Sequence, residues 1–233
     1  SDVCSSDLIH VRHEMRVIVG QAIDHRTPLF DEDMRTIEFS PYWNVPATIV
    51  RDELVPRLRR DPAFWTQEGF EFVDPEGHAI EALTPQRLDA LLEGRLRLRQ
   101  RPGPRNALGD IKFVFPNRDA IYLHHTPSTG LFARDRRDLS HGCIRVEEPE
   151  VLASFVLRDQ SGWDRARIQA AMQAGTSKTI RLAQPMPVLL AYGTALVREG
   201  RTAFFDDVYG LDQELDAALR RRTESRTTQR KEV

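Results

Sequence analysis

Runs of strand-forming residues, separated by glycine and proline turns, recur along this chain and commit most of it to β-structure. Residues 15–20 (MRVIVG) form a β-branched run closed by Gly20, and a turn follows at Thr27 and Pro28. Residues 35–39 (RTIEF) alternate polar and apolar side chains, the pattern of a half-buried strand. Pro41 and Pro46 then bracket Tyr42 and Trp43 in an extended, stiff segment. Further strands are expected at 111–116 and 120–123, joined by Asn117, Arg118 and Asp119. Two closing strands are expected at 179–182 and 187–192, and an edge element at 204–209.

Helical signals are fewer and shorter. Residues 47–60 place Ile49, Leu54 and Leu58 on one face and stop at Asp61 and Pro62. Thr84 is positioned to cap a helix over 84–92, and Pro149 opens one over 147–158 with Val151, Leu152, Phe155 and Val156 on its apolar face. Another helix is expected over 163–173. Between 61 and 105 the pattern breaks into short, aromatic-rich pieces (Phe64, Trp65, Phe70, Phe72), which reads as an inserted lid. Residues 219–233, dominated by basic side chains, read as a disordered tail. The fold class is therefore mixed α/β, mainly β, with residues 9–218 forming one domain.

A chain of 233 residues, 40% hydrophobic and 29% charged, buries one sizeable core with room for a small subdomain. Its formal charge is −2, so nothing global suggests nucleic acid or a highly charged membrane surface as partner. No stretch approaches the roughly 20 apolar residues of a membrane span. Residues 1–8 (SDVCSSDL) read as a non-native, adapter-derived segment, which leaves Cys143 as the only native cysteine and no intrachain disulfide. Losing a native strand there is expected to leave a sheet edge unpaired.

Cys143 lies in the run Ser140, His141, Gly142, Cys143, Ile144, Arg145, and His124 and His125 stand just after the run 120–123. A thiol needs a neighbouring imidazole or positive charge to become a nucleophile, and His124 is the candidate base. Gly142 allows close approach to a substrate carbonyl, and the amides of residues 141–143 are candidate oxyanion donors. Arg145 stands two residues beyond Cys143, so an extended segment puts both side chains on one face. Other readings remain open for each residue taken alone. A single buried cysteine is commonly a small hydrophobe, and Arg145 fits a surface charge. His124, His125, His141 and Cys143 are zinc-ligand types, yet adjacent histidines on a strand face opposite ways and do not share an ion.

The segment 121–127 (IYLHHTP) followed by 139–146 (LSHGCIRV) resembles the signature of the L,D-transpeptidases, the YkuD-type catalytic domain. The likeness is strongest to large Gram-negative members with a capping subdomain. It extends through 42–46 (YWNVP), 98–104 (LRQRPGP), 106–109 (NALG) and 207–210 (DVYG). The resemblance implies a β-sandwich-like domain whose Cys143 attacks the third residue of a tetrapeptide stem of peptidoglycan, expels D-alanine and passes the acyl group to an amine; the alternatives are an L,D-carboxypeptidase, with water as acceptor, and a non-catalytic peptidoglycan-binding module. It implies His124 as base, Ser140, His141 and Gly142 beside the nucleophile, Arg145 and Tyr122 against substrate, and Trp43 as a weaker groove candidate with core packing as its competing role. Residues 61–105 correspond to the capping subdomain. No cofactor or metal is implied; the expected molecule is a periplasmic monomer that binds stem peptides. His125 stands where the family usually carries glycine or a small or acidic residue.

Overall fold

Alternating burial builds the main sheet. In β3 (Phe30–Phe39) and β8 (Ile111–Val114), Ile37, Phe39, Ile111 and Phe113 are fully buried while Glu38 and Lys112 between them face the other way. The computed structural model describes residues 2–6, 11–198 and 200–229. Its eight-stranded sheet also contains β1 (Asp2–Ser6), β2 (Val11–Gly20), β9 (Leu123–His124), β10 (Asp138–Ser140), β11 (Ile144–Val146) and β12 (Lys178–Leu190), in the order β1-β2-β11-β9-β8-β3-β12 with β10 beside β2. The β11–β9 and β10–β2 pairings are parallel and the others antiparallel.

Register aligns Ile37, Phe113, Leu123 and Ile144 in one row on the buried face. Helices α5 (Pro149–Val156) and α6 (Arg165–Gln173) belong to that core, burying Leu152, Ala153, Val156 and Ile168. Trp163 stacks on Phe39 with ring centroids 5.2 Å apart. Each fully buried aliphatic or aromatic side chain here contributes roughly 1.5–3 kcal/mol. Asp164 caps α6 by accepting from the Arg167 amide.

A second, separate core holds the segment expected to form the cap. It comprises α1 (Ala47–Ile49), a π-helical segment (Val50–Leu54), α2 (Val55–Arg60), α3 (Ala63–Glu68), α4 (Pro85–Leu92) and a four-stranded sheet. That sheet runs β4 (Trp43–Asn44), β7 (Arg97–Gln100), β5 (Phe70–Val73), β6 (Ala79–Ile80). The expected inward residues Ile49, Leu54 and Leu58 are buried in it, and Thr84 caps α4 by accepting from the Arg87 amide. The cap thus begins at β4 rather than at residue 61, because Trp43 and Asn44 pair with Gln100 and Arg99.

Other expectations are corrected. Only Leu123 of the run 120–123 lies in a strand: Asn117 accepts from the Asp119 and Ile121 amides and donates to the Ile121 carbonyl, so its side chain takes main-chain bonds a ladder would use. Ala120 consequently has φ 53°, and pairing starts only at Leu123. The two closing strands are one, β12, which follows β3 with a register irregularity between Arg181 and Met186. The edge expected to be open carries β1, since ladder bonds use main-chain groups that any extended segment supplies. Residues 204–209 contain the end of the hairpin β13 (Ala195–Arg198) and β14 (Arg201–Phe204). The tail continues as α7 (Leu211–Gln229), whose leucine, alanine, glutamate and arginine favour helix; residues 230–233, and residues 1 and 7–10 near the N-terminus, lie outside those described. The fold is mixed α/β, mainly β.

Candidate active site

Three neighbouring strands carry the site. Lys112 of β8 pairs with His124 of β9, and His124 pairs with Arg145 of β11, so the three side chains form a row on the face opposite the core. Glu38 of β3, in register with Lys112, extends the row and forms an ion pair with it at 3.3 Å. Cys143 and Tyr122 each stand two residues before a member of the row, and the Ile144 amide donates to the Tyr122 carbonyl to lock them side by side. The Tyr122 ring meets the His124 ring edge-on at 5.7 Å, and Lys112 Nζ lies 4.4 Å from the Tyr122 centroid.

The loop into Cys143 is held by its own side chains. Ser140 Oγ donates to the Cys143 carbonyl at 2.6 Å and accepts from the Gly142 amide at 3.1 Å. Gly142 adopts φ 113°, a conformation an L side chain rarely takes. Its amide is therefore occupied, and among residues 141–143 the His141 and Cys143 N–H groups have no partner among the described hydrogen bonds. The thiol's own bond is a weak one, to the Ala120 carbonyl at 3.9 Å.

The Cys143 thiol and the His124 imidazole both rest uncharged. Burial pushes the Cys143 thiol above its ordinary value, opposed by the Tyr122 amide and hydroxyl and by the positive charges of Lys112 and Arg145. Burial, reinforced by Arg145, drives His124 down to about 3. His124 Nδ1 donates to the His125 carbonyl at 2.5 Å, and the Leu108 main chain also contacts the ring. Burial, with the Cys143 sulfur a secondary influence, raises Tyr122, so its hydroxyl stays a donor.

Of the residues expected at the site, Cys143, Tyr122, His124, Ser140, Gly142 and Arg145 come together. His141 instead turns to the cap, where Nε2 meets Glu53 Oε1 at 2.6 Å, and its ring packs on His25 with centroids 4.8 Å apart. His125 turns to Asp110 at 3.2 Å, on the other side of the strand from His124. Trp43 packs against the cap core. No group of three potential metal-ligating side chains occurs among the described residues. Neither Lys112, inside the strand expected at 111–116, nor Glu53, inside the helix expected at 47–60, carries a signal in the sequence that marks it for this site.

A cavity of about 360 Å³ borders Arg145 and is lined also by Arg105, Glu68, Thr126 and Ser128. The Arg145 Nε is buried without a partner, a donor available to a ligand. A larger hollow of about 750 Å³ lies between Gln21 to Ile23 and Ala133 to Leu139, and its lining includes neither Cys143 nor His124.

A family profile described as YkuD, L,D-transpeptidase catalytic domain, matches residues 9–181. A Haemophilus influenzae protein named "Putative L,D-transpeptidase" is 34% identical over 208 residues, covering 88% of this chain and 41% of its own length. The chain thus spans about two fifths of that relative.

Proposed function

This chain belongs to the YkuD family of L,D-transpeptidase catalytic domains, and on that premise we propose that it remodels peptidoglycan by acyl transfer through Cys143. The supporting observation is a neutral imidazole and a half-buried guanidinium in register on adjacent strands, with the Cys143 thiol close enough to interact with that guanidinium. His124 Nε2 takes the thiol proton as sulfur attacks the carbonyl of the third residue of a tetrapeptide stem. The tetrahedral oxyanion receives hydrogen bonds from the Cys143 N–H and the Tyr122 hydroxyl. On collapse the C–N bond breaks, D-alanine leaves with the proton from His124, and a thioester remains. An amine of a second stem attacks the thioester, His124 accepts its proton, and the thiol is regenerated. Arg145 binds a stem carboxylate through the 360 Å³ cavity, and the cap excludes water. This substrate places the protein in the cell envelope.

Intact-protein mass after incubation with a carbapenem tests the nucleophile. An adduct on the parent chain and none on Cys143→Ala supports it; no adduct on folded parent overturns it. Incubation with a disaccharide tetrapeptide, with and without an acceptor amine, then separates cross-linking from hydrolysis of the thioester.

A further inference from the structure

Three segments distant in sequence meet at backbone contact beside the nucleophile. A Cβ on Gly20 would lie 1.8 Å from the His25 carbonyl oxygen and 2.9 Å from the Gly142 Cα, so only glycine lets β2 approach the Gly142 turn. At that contact Thr27 Oγ1 accepts from the Gly20 amide at 2.9 Å and donates to the Gly142 carbonyl at 2.8 Å. Tyr209, from the chain just before α7, donates its hydroxyl to the Gly20 carbonyl at 2.7 Å and accepts from the Thr27 amide at 3.3 Å. Thr27 is 8% exposed and Tyr209 6%, and each hydroxyl uses both its donor and an acceptor site. Tyr192 stacks on Tyr209, donates to Asp207 at 2.8 Å and accepts from the Tyr209 amide at 3.1 Å.

We propose that Thr27 and Tyr209 are positioning residues for acyl transfer, which fix the plane of the Gly142–Cys143 peptide and so aim the Cys143 N–H at the developing oxyanion. The link is peptide geometry. The Gly142 C=O and the Cys143 N–H belong to one planar trans unit and point in opposite directions. Holding the carbonyl with the Thr27 hydroxyl therefore sets the direction of the N–H. Gly142, having no side chain and φ 113°, offers little resistance of its own to rotation of that unit. Ser140 fixes the next peptide through the Cys143 carbonyl, so Thr27 and Ser140 hold the two peptide units that flank the Cys143 Cα. Tyr209 acts through Thr27, and it lies beyond residues 9–181 matched by the family profile. The segment after β12 is thus part of the working site. This inference rests on the reading of Cys143 as nucleophile.

The experiment compares, on the full chain, the rate of Cys143 acylation by a carbapenem with the rate of its alkylation by iodoacetamide. Acylation passes through an oxyanion; alkylation needs a reachable thiol that can lose its proton, but no oxyanion. Thr27→Val and Tyr209→Phe are expected to slow acylation by about tenfold to a hundredfold while alkylation stays at the parent rate. Thr27→Ser, which keeps the hydroxyl, is expected to acylate like the parent. Unchanged acylation in Thr27→Val and Tyr209→Phe, an equal fall in both reactions, or a slow Thr27→Ser overturns the proposal. If Thr27→Val does not fold, Tyr209→Phe decides, since it removes one oxygen and keeps the ring. A folded parent that is never acylated removes the nucleophile assignment itself, a result distinct from an acylated parent with indifferent variants.

Discussion

His124 stays neutral across the working range of pH because burial and Arg145 both penalise its imidazolium. In the unfolded chain the same ring takes up a proton near 6.5, whereas the native ring resists until about 3. Between those values the unfolded state binds more protons, so stability falls as pH drops, by roughly 1 kcal/mol per pH unit from this group. Urea unfolding from pH 7 to pH 4 checks this: His124→Gln should show a shallower decline than the parent, and parallel declines would refute the assignment. For the chemistry, His124→Gln should lower acylation by about 10²–10⁴-fold. Tyr122→Phe should lower it by about 10²–10³-fold. Both are read from adduct mass against time. The residues that sequence could mark were those with unusual chemistry: Cys143, His124, Gly142 and Arg145 stand in one signature. Lys112 and Thr27 have no such label and Tyr209 is marked only within 207–210 (DVYG), because their placement comes from register and from contacts across 115 and 182 positions.

Local signals located elements well wherever local interactions decide them. Thr84 announced α4, and Ile49, Leu54 and Leu58 announced one buried face over 47–60. The π-helical turn at Val50–Leu54 has no comparable signal, nor does the single β12, whose bulge depends on its partner β3. Residues 120–123 have strand composition, yet the Asn117 side chain outcompetes the ladder. In the cap sheet, Arg99 of β7 pairs with Glu71 of β5 and lies over the Tyr42 ring. Glu71 is 3% exposed, so removing Arg99 strands a buried carboxylate. Arg99→Ala should cost about 3–5 kcal/mol by denaturant unfolding. Arg95→Ala, which breaks an exposed pair with Glu93, should cost under about 1 kcal/mol.

At the scale of the molecule, two cores with no shared residue divide the work. The main sheet carries His124 and Arg145, while the second unit meets the segment before Cys143 through contacts such as Glu53 to His141. Leu58→Ala should destabilise the cap by about 2–5 kcal/mol. Amide exchange should then rise over 43–100 and stay unchanged in β3 and β8, whereas a uniform rise would show the two cores unfold as one. The row from Glu38 to Arg145 has a further kinetic consequence. Glu38 and Lys112 neutralise each other and His124 is uncharged, so Arg145 is left as the one cation of the row without an ion-pair partner among the described residues. An anionic peptide is therefore drawn in from solution by a long-range attraction that dissolved ions weaken. On the function proposed above, raising ionic strength should slow capture of an anionic stem peptide yet leave the conversion of a captured one untouched, so that dissolved salt would set how often the site is loaded.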